Sequence, residues 1–454
     1  MKRPIILLFS SIWLLTSCSA GNESQSDTSM LAEARAPSSI EPVAWTPNDN
    51  PNVLDLDSSF NYKFSELPEE GEAEQIPWAG NYWPTYRDSV NYRWDGPDAE
   101  SPSEKFEEAF GLAGIADSIS ENYGIDSRRN STSTTCTEND VCDSDKGEVC
   151  SKRTGQEEGV CVETWFGICH AWAPVAIMEP EPKKAVTYNG VTFKVNDLKA
   201  LVTLSYDKGL KSKLMSGRCN DTNTGEEGGI EFDEQGRPTD DFANCRDTNP
   251  GSFHIVLANM LGIQKKALVE DRTFDYEVWN QPIRGYRVTQ NTEVTKVEAI
   301  ALVNQEGDAY TYNQEAVTFR HMKMAVQWIR ESHQETDGNF ADTMDTYTVT
   351  DNYEYLLEID RDGLIIGGEW LGDSKTDHPD FLWVGVEKSN TEVAVPDVEL
   401  SKHDDVAIAN GEWHDFGSVS VTAGDSLSVK MTGAGDGDLY VRWGDAPTQS
   451  NYTC

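Results

Sequence analysis

Hydrophobic and polar positions along this chain fall into stretches of different character. Pro4 to Leu15 is an almost unbroken apolar run behind Met1, Lys2 and Arg3, too short to span a bilayer as a permanent helix. From Ser19 to about Asn50 the chain is rich in Ser, Glu, Asp, Asn and Pro, which predicts a spacer that cannot offset its own ordering entropy. Aromatic residues return at Trp78 to Trp83 and at Tyr92 and Trp94, followed by a predicted helix over 103–113. Ala171 to Met178 is apolar enough for a buried helix, and Pro174 requires it to begin close by, with Cys169 near its first turn. Ser252 to Leu257 is a second apolar segment, and it contains His254. Glu277 to Val288 alternates imperfectly and predicts a strand running into a turn at Gln281-Pro282. After Pro396 short alternating segments separated by turn residues have the pattern of an antiparallel β-sandwich.

The apolar start ends in Leu15-Thr16-Ser17-Cys18, which resembles the lipobox read by bacterial lipoprotein signal peptidase. The expected organisation is a signal peptide over 1–17, an acidic, Ser-rich tether over 18–60, a catalytic domain over 61–390, and a partial β-sandwich module over 395–454. Cys18 would carry the lipid, and Ser19 after it favours an outer-membrane anchor facing the periplasm or the cell surface. Without that processing the product is still exported or secreted.

Charge narrows the partners. The 454 residues carry 78 Asp and Glu against 37 Lys and Arg, a formal net charge of −41. Such a surface repels nucleic acid and anionic lipid at long range, so no nucleic-acid partner is expected. A solvated acidic face accounts for most of these carboxylates, with calcium binding by some of them as the alternative.

The nine cysteines carry the chemistry. Cys136, Cys142, Cys150 and Cys161 lie in a short Gly-, Asp- and Thr-rich insert over 134–162, where two disulfides would supply what its core lacks. No CxxC pair supports zinc there, and the pairing stays open among three connectivities. Cys219 and Cys245 flank a polar loop and are candidates for a third bridge. With Cys18 lipidated and Cys454 set aside at the end of the sequence, Cys169 is left as an unpaired thiol.

A thiol nucleophile needs a helix N-terminus, an imidazole, or both beside it. His170 adjoins Cys169, but neighbouring helical residues point about 100° apart, which favours a structural role for it. His254 is the candidate base and Asp271 the candidate acid, with Asp207 and Asp275 as alternatives. Thiol, imidazole and carboxylate then follow the chain order of papain-like and transglutaminase-like enzymes. Oxyanion donors would be the Cys169 backbone N–H and an indole N–H from Trp165 or Trp172.

The segment from Val278 to Val288 (VWNQPIRGYRV) resembles the signature peptide of the oomycete cell-wall transglutaminase elicitors, the stretch that plants perceive as a microbial pattern. Residues 164–182, 186–207 and 355–384 resemble the same family, so the likeness spans roughly 100–385. Marine bacteria carry relatives, and the lipobox fits a bacterial source. The resemblance implies an α+β fold with a cysteine-peptidase or transglutaminase-like core, the thiol-bearing helix packed on an antiparallel sheet. It implies protein-glutamine γ-glutamyltransferase activity through a Cys169 thioester, with glutamine- and lysine-bearing proteins as partners. No cofactor is required by this chemistry. A secreted papain-like cysteine peptidase and a non-catalytic surface-binding lipoprotein are the alternatives. Residues 435–441 and 446–448 resemble the bacterial pre-peptidase C-terminal domain, which would make the last module a partial one.

Overall fold

The computed structural model describes residues 60–129, 133–216, 248–273, 277–305 and 307–387. The expected signal peptide, Cys18, Cys219, Cys245, Asp275, Cys454 and the β-sandwich pattern lie outside the described residues.

Along the chain come β1 (Glu70–Glu72), α1 (Pro102–Phe110), α2 (Ile115–Asn122), α3 (Ile125–Arg129), β2 (Thr135–Cys136), β3 (Glu148–Ser151) and β4 (Gly159–Glu163). Next are α4 (Cys169–Met178), β5 (Val186–Tyr188), β6 (Val191–Phe193), α5 (Val195–Asp207), β7 (Leu210–Leu214) and α6 (Pro250–Leu257). The remainder is β8 (Leu268–Asp271), β9 (Asn280–Val294), α7 (Lys296–Leu302), β10 (Thr318–Ile329), β11 (Thr348–Ile359), β12 (Ile365–Trp370) and β13 (Leu382–Glu387). Helices and an antiparallel sheet share one chain, as expected for an α+β fold.

The expected helix over 103–113 is α1. Ser101 and Glu104 form a reciprocal capping box at its start, Pro102 occupies the first turn, and Gly111 ends it in the left-handed region at φ 64°. The main sheet has eight strands in the order β12-β11-β10-β9-β8-β13-β7, with β1 on β9 beyond the stretch taken by β8. All its pairings are antiparallel.

Strand alternation gives this sheet two differently dressed faces. On one face, Leu268, Ile283, Met322, Met324, Tyr353 and Tyr355 join Phe253, Ile255 and Leu257 of α6 in a single buried cluster. On the other, Val269 and Trp383 pack with Ala173 of α4, while Ile329 packs with Trp172 and Val175. Leu268 and Val269 are neighbours in β8, so they point to opposite sides, and α4 and α6 cover opposite sides with them. A one-residue slip in β8 would exchange the two sets.

No turn forms at Gln281-Pro282. β9 runs unbroken for 15 residues from Asn280. Pro282 pairs only with Val269 of β8, one residue past the last β9–β10 pair, Trp328 with Ile283, so no ladder to β10 needs its missing N–H. In the small β2-β4-β3 sheet, disulfides join Cys136 to Cys150 and Cys142 to Cys161, which closes the open pairing and uses the thiols that zinc would need. Among the described residues no helix is long and apolar enough to cross a membrane.

Candidate active site

α4 is apolar on nearly every side, and seven of its ten residues are buried, so packing rather than propensity holds it. Cys169 is its first residue, and no side chain caps the end. By contrast, Ser101 caps α1 and Asn249 caps α6. An uncapped helix start leaves backbone N–H groups directed at whatever lies before it. Gly167 allows the approach: a Cβ there would stand 2.5 Å from the Tyr82 carbonyl oxygen, which accepts the Ile168 N–H at 2.7 Å.

Cys169 is the free cysteine among the described residues and is 5% exposed. Its thiol donates to the Val278 carbonyl at 3.6 Å, and the Asn280 amide nitrogen donates to the sulfur at 3.5 Å. The Asn280 amide oxygen accepts from the Trp383 indole at 2.7 Å. Nearby, the Trp279 and Tyr82 rings meet edge to face at 5.6 Å.

α5 packs against α4 and brings its last residue, Asp207, to the start of the thiol helix. Asp207 Oδ1 lies 2.7 Å from His170 Nε2, and the His170 side chain is 48% exposed. Desolvation works against the His170 cation, but hydrogen bonds to Asp207 and to the Cys169 side chain outweigh it and raise its pKa to about 10. Desolvation opposes the Asp207 charge as well, and the bonds from His170 and Tyr123 still leave its pKa below the usual value. The result is a thiol and an aspartate-held imidazolium at one helix start, a set able to run nucleophilic acyl chemistry.

The transglutaminase elicitor family profile matches residues 55–408. The chain belongs to the transglutaminase elicitor family. Among solved structures it is similar to the crystal structure of the GP42 transglutaminase from Phytophthora sojae. The two share 38% identity at a TM-score of 0.61, over 74% of this chain and 90% of that one. No curated protein matches it.

In this member of the family His254 is not brought to the thiol. It lies on α6, across the sheet from Cys169, 2% exposed, with Nδ1 2.8 Å from the Tyr355 hydroxyl. Burial lowers its pKa to about 4, so it is neutral at neutral pH. A cavity of about 290 Å³ abuts it, lined by Phe64, Leu67, Pro68, Val288 and Met322, with neither Cys169 nor a partner of the sulfur among its walls.

Asp271 does lie on the Cys169 side, but it cannot orient His254 from there. Its Oδ1 accepts the Trp279 N–H at 2.8 Å, fixing the segment whose neighbours Val278 and Asn280 touch the sulfur. Of the other candidates, Asp207 is found, but on His170. Trp172 is buried with its indole nitrogen facing Gly80, and Trp165 stacks on Phe166 at 4.2 Å with its indole bonded to Glu163. Neither indole is a partner of the sulfur. Trp370 of β12 packs with Phe253 of α6 and stacks on His378. Sequence reasoning missed His170 as the imidazole. Its available signal was adjacency to the one unpaired thiol.

Proposed function

We infer that this family member is a protein-glutamine γ-glutamyltransferase, with protein glutamines as acyl donors and lysine amines as acceptors. What supports the reading is the free thiol of Cys169 at an uncapped helix start beside the His170–Asp207 pair. The family membership and the likeness to a transglutaminase support reading the acyl chemistry as this class.

The Cys169 thiol gives its proton to water, since the His170 ring already carries one; the thiolate then attacks the carboxamide carbon, a C–S bond forms, and the carbonyl electron pair moves to oxygen. Collapse breaks the C–N bond, and the nitrogen takes a proton from the His170 cation and leaves as ammonia. The resulting thioester is attacked by a lysine amine, whose proton returns to His170. Sulfur departs as thiolate and an isopeptide bond remains. In the resting site Asp207 and the Cys169 side chain raise the His170 pKa to about 10, so the ring enters the reaction protonated and is the acid for the departing nitrogen. Asp207 holds the ring throughout and stabilises its positive charge whenever it carries the proton. Each step draws on this chain's own side chains.

The same reading places the enzyme outside the cytoplasm, anchored through Cys18. The two disulfides of the insert favour an oxidising compartment.

The test is to incubate the protein with a glutamine-bearing protein and a fluorescent primary amine. Label incorporation that vanishes in folded Cys169→Ser is the expected result. Cleavage fragments without incorporation would replace the reading with a peptidase, and neither outcome in a folded sample would reject it.

A further inference from the structure

We propose that Asn280 is a catalytic residue of this site, donating its side-chain N–H to the oxyanion that forms when Cys169 is acylated. The inference rests on the thiol-acyl reading above and deepens it.

The orientation of the Asn280 amide follows from its two contacts. Its Oδ1 faces the Trp383 indole nitrogen at 2.7 Å, and an indole N–H can only donate, so the atom facing it must be the amide oxygen. The NH₂ group is therefore turned toward Cys169 Sγ, at 3.5 Å. Asn280 and Trp383 are 3% and 5% exposed, so water competes little for either group. The backbone is fixed as well. Asn280 pairs with Asp271 at the start of β9, and Asp271 Oδ1 clamps the N–H of the preceding residue, Trp279.

When the thiolate adds to an acyl carbon, the carbonyl electron pair moves to an oxygen bonded to the carbon that has just joined sulfur. A donor that touches sulfur in the resting site is within reach of that oxygen, where an effective oxyanion donor stands about 3 Å away. The uncapped α4 start leaves the Cys169 backbone N–H available as a second donor. Val278 contributes differently: its carbonyl accepts the thiol proton in the resting state and has nothing to offer an anion. Trp383 acts through Asn280 and is a positioning residue.

The test separates acylation from simple thiol reactivity. Acylation by p-nitrophenyl acetate passes through a tetrahedral oxyanion; alkylation by iodoacetamide displaces iodide directly and forms none. Asn280→Ala should slow the acylation burst by about 100-fold or more and leave the alkylation rate close to that of the parent protein. Asn280→Asp keeps the acceptor for Trp383 and puts a carboxylate where the donor was; its charge slows alkylation too, so acylation should fall about 100-fold or more beyond alkylation, which covers the case in which the alanine variant folds poorly. Trp383→Phe should slow acylation less than Asn280→Ala, again with alkylation spared. Parallel loss of both rates, or an unchanged burst in folded Asn280→Asp, overturns the proposal. A parent protein that gives the burst yet incorporates no amine defeats the transferase reading and leaves the Asn280 test intact.

Discussion

Two helices on opposite faces of one sheet each carry a histidine, half-exposed in one and buried in the other, and their surroundings give them opposite character. His170 stands at the start of α4 with a carboxylate at 2.7 Å and a thiol beside it, and holds its proton up to about pH 10. His254 lies within α6, whose eight residues are all buried, with a tyrosine hydroxyl as partner and a pKa near 4. An imidazole can shuttle protons when a charged partner offsets its desolvation. When burial dominates, it becomes a neutral core residue. The comparison can be broken most directly by exchanging each histidine for the same neutral amide. His170→Gln is expected to lower kcat/KM for amine incorporation by about 10²–10⁴-fold, with an unfolding midpoint near that of the parent. His254→Gln is expected to leave the rate per folded molecule unchanged. The reverse pattern would return the base to α6.

Acid sharpens the contrast next, through stability. The folded pKa of His254 is lowered from 6.5 to about 4, so the folded state takes up its proton later than the unfolded chain does. Its contribution is complete above pH 6.5 and is lost as pH falls from there toward 4. The loss is on the order of 3 kcal/mol for a group this buried. Thermal unfolding between pH 7 and 4 should therefore show a steep loss in the parent, with a shallower slope in His254→Gln. His378, lowered to about 4 in the same way, keeps part of the slope in both. Equal slopes would mean that His254 does not titrate as a buried neutral ring.

The His170 side has the opposite sign. A raised pKa is lost as pH climbs through about 10, and Asp207 is the main group raising it. Asp207→Asn should move the basic limb of the activity profile to lower pH by about two units and so cost roughly tenfold at pH 9. A basic limb that stays in place would remove Asp207 from the site.

These contrasts also measure what the sequence could tell. Helices, an antiparallel sheet and a lone thiol at a helix start were legible, because apolar runs, alternation and cysteine counting are local or arithmetic signals. Which face a residue occupies was not. His254 and Asp271 both sit in apolar stretches at a plausible spacing, yet the parity of β8 puts Val269 and Asp271 with α4, and Leu268 with α6. That parity is fixed by pairing with β9, about a dozen residues further on. His170 was discounted because adjacent helical side chains diverge. At the first turn, however, the ring meets an aspartate 37 residues away, and no spacing rule reports that meeting. The turn expected at Gln281-Pro282 failed for a related reason: proline is harmless where the ladder to one neighbouring strand has already ended.

The smallest expected effect comes from the residue next to Asp271. Glu270 points to the α6 side, is fully buried, and neither carboxyl oxygen has a hydrogen-bond partner, whereas Asp271 on the thiol side accepts the Trp279 N–H. Burial first, then the charge of Asp351, pushes the Glu270 pKa well above its usual value, with Arg272 too weak a counterweight. A carboxyl raised in this way favours the fold at acid pH, and the benefit is lost as pH rises above the unfolded value of about 4.5. Across the strand pair sits Gln281, whose amide oxygen also lacks a partner. Glu270→Gln supplies an N–H₂ next to that oxygen and removes the ionisable group. It should raise stability at pH 8 by on the order of 1 kcal/mol, with the gain vanishing near pH 4, where the parent carboxyl is protonated. Unfolding midpoints at the two pH values decide it. A destabilised variant at pH 8 would show that this carboxylate is held by a cation on the α6 face, and the two faces would then differ less than their histidines indicate.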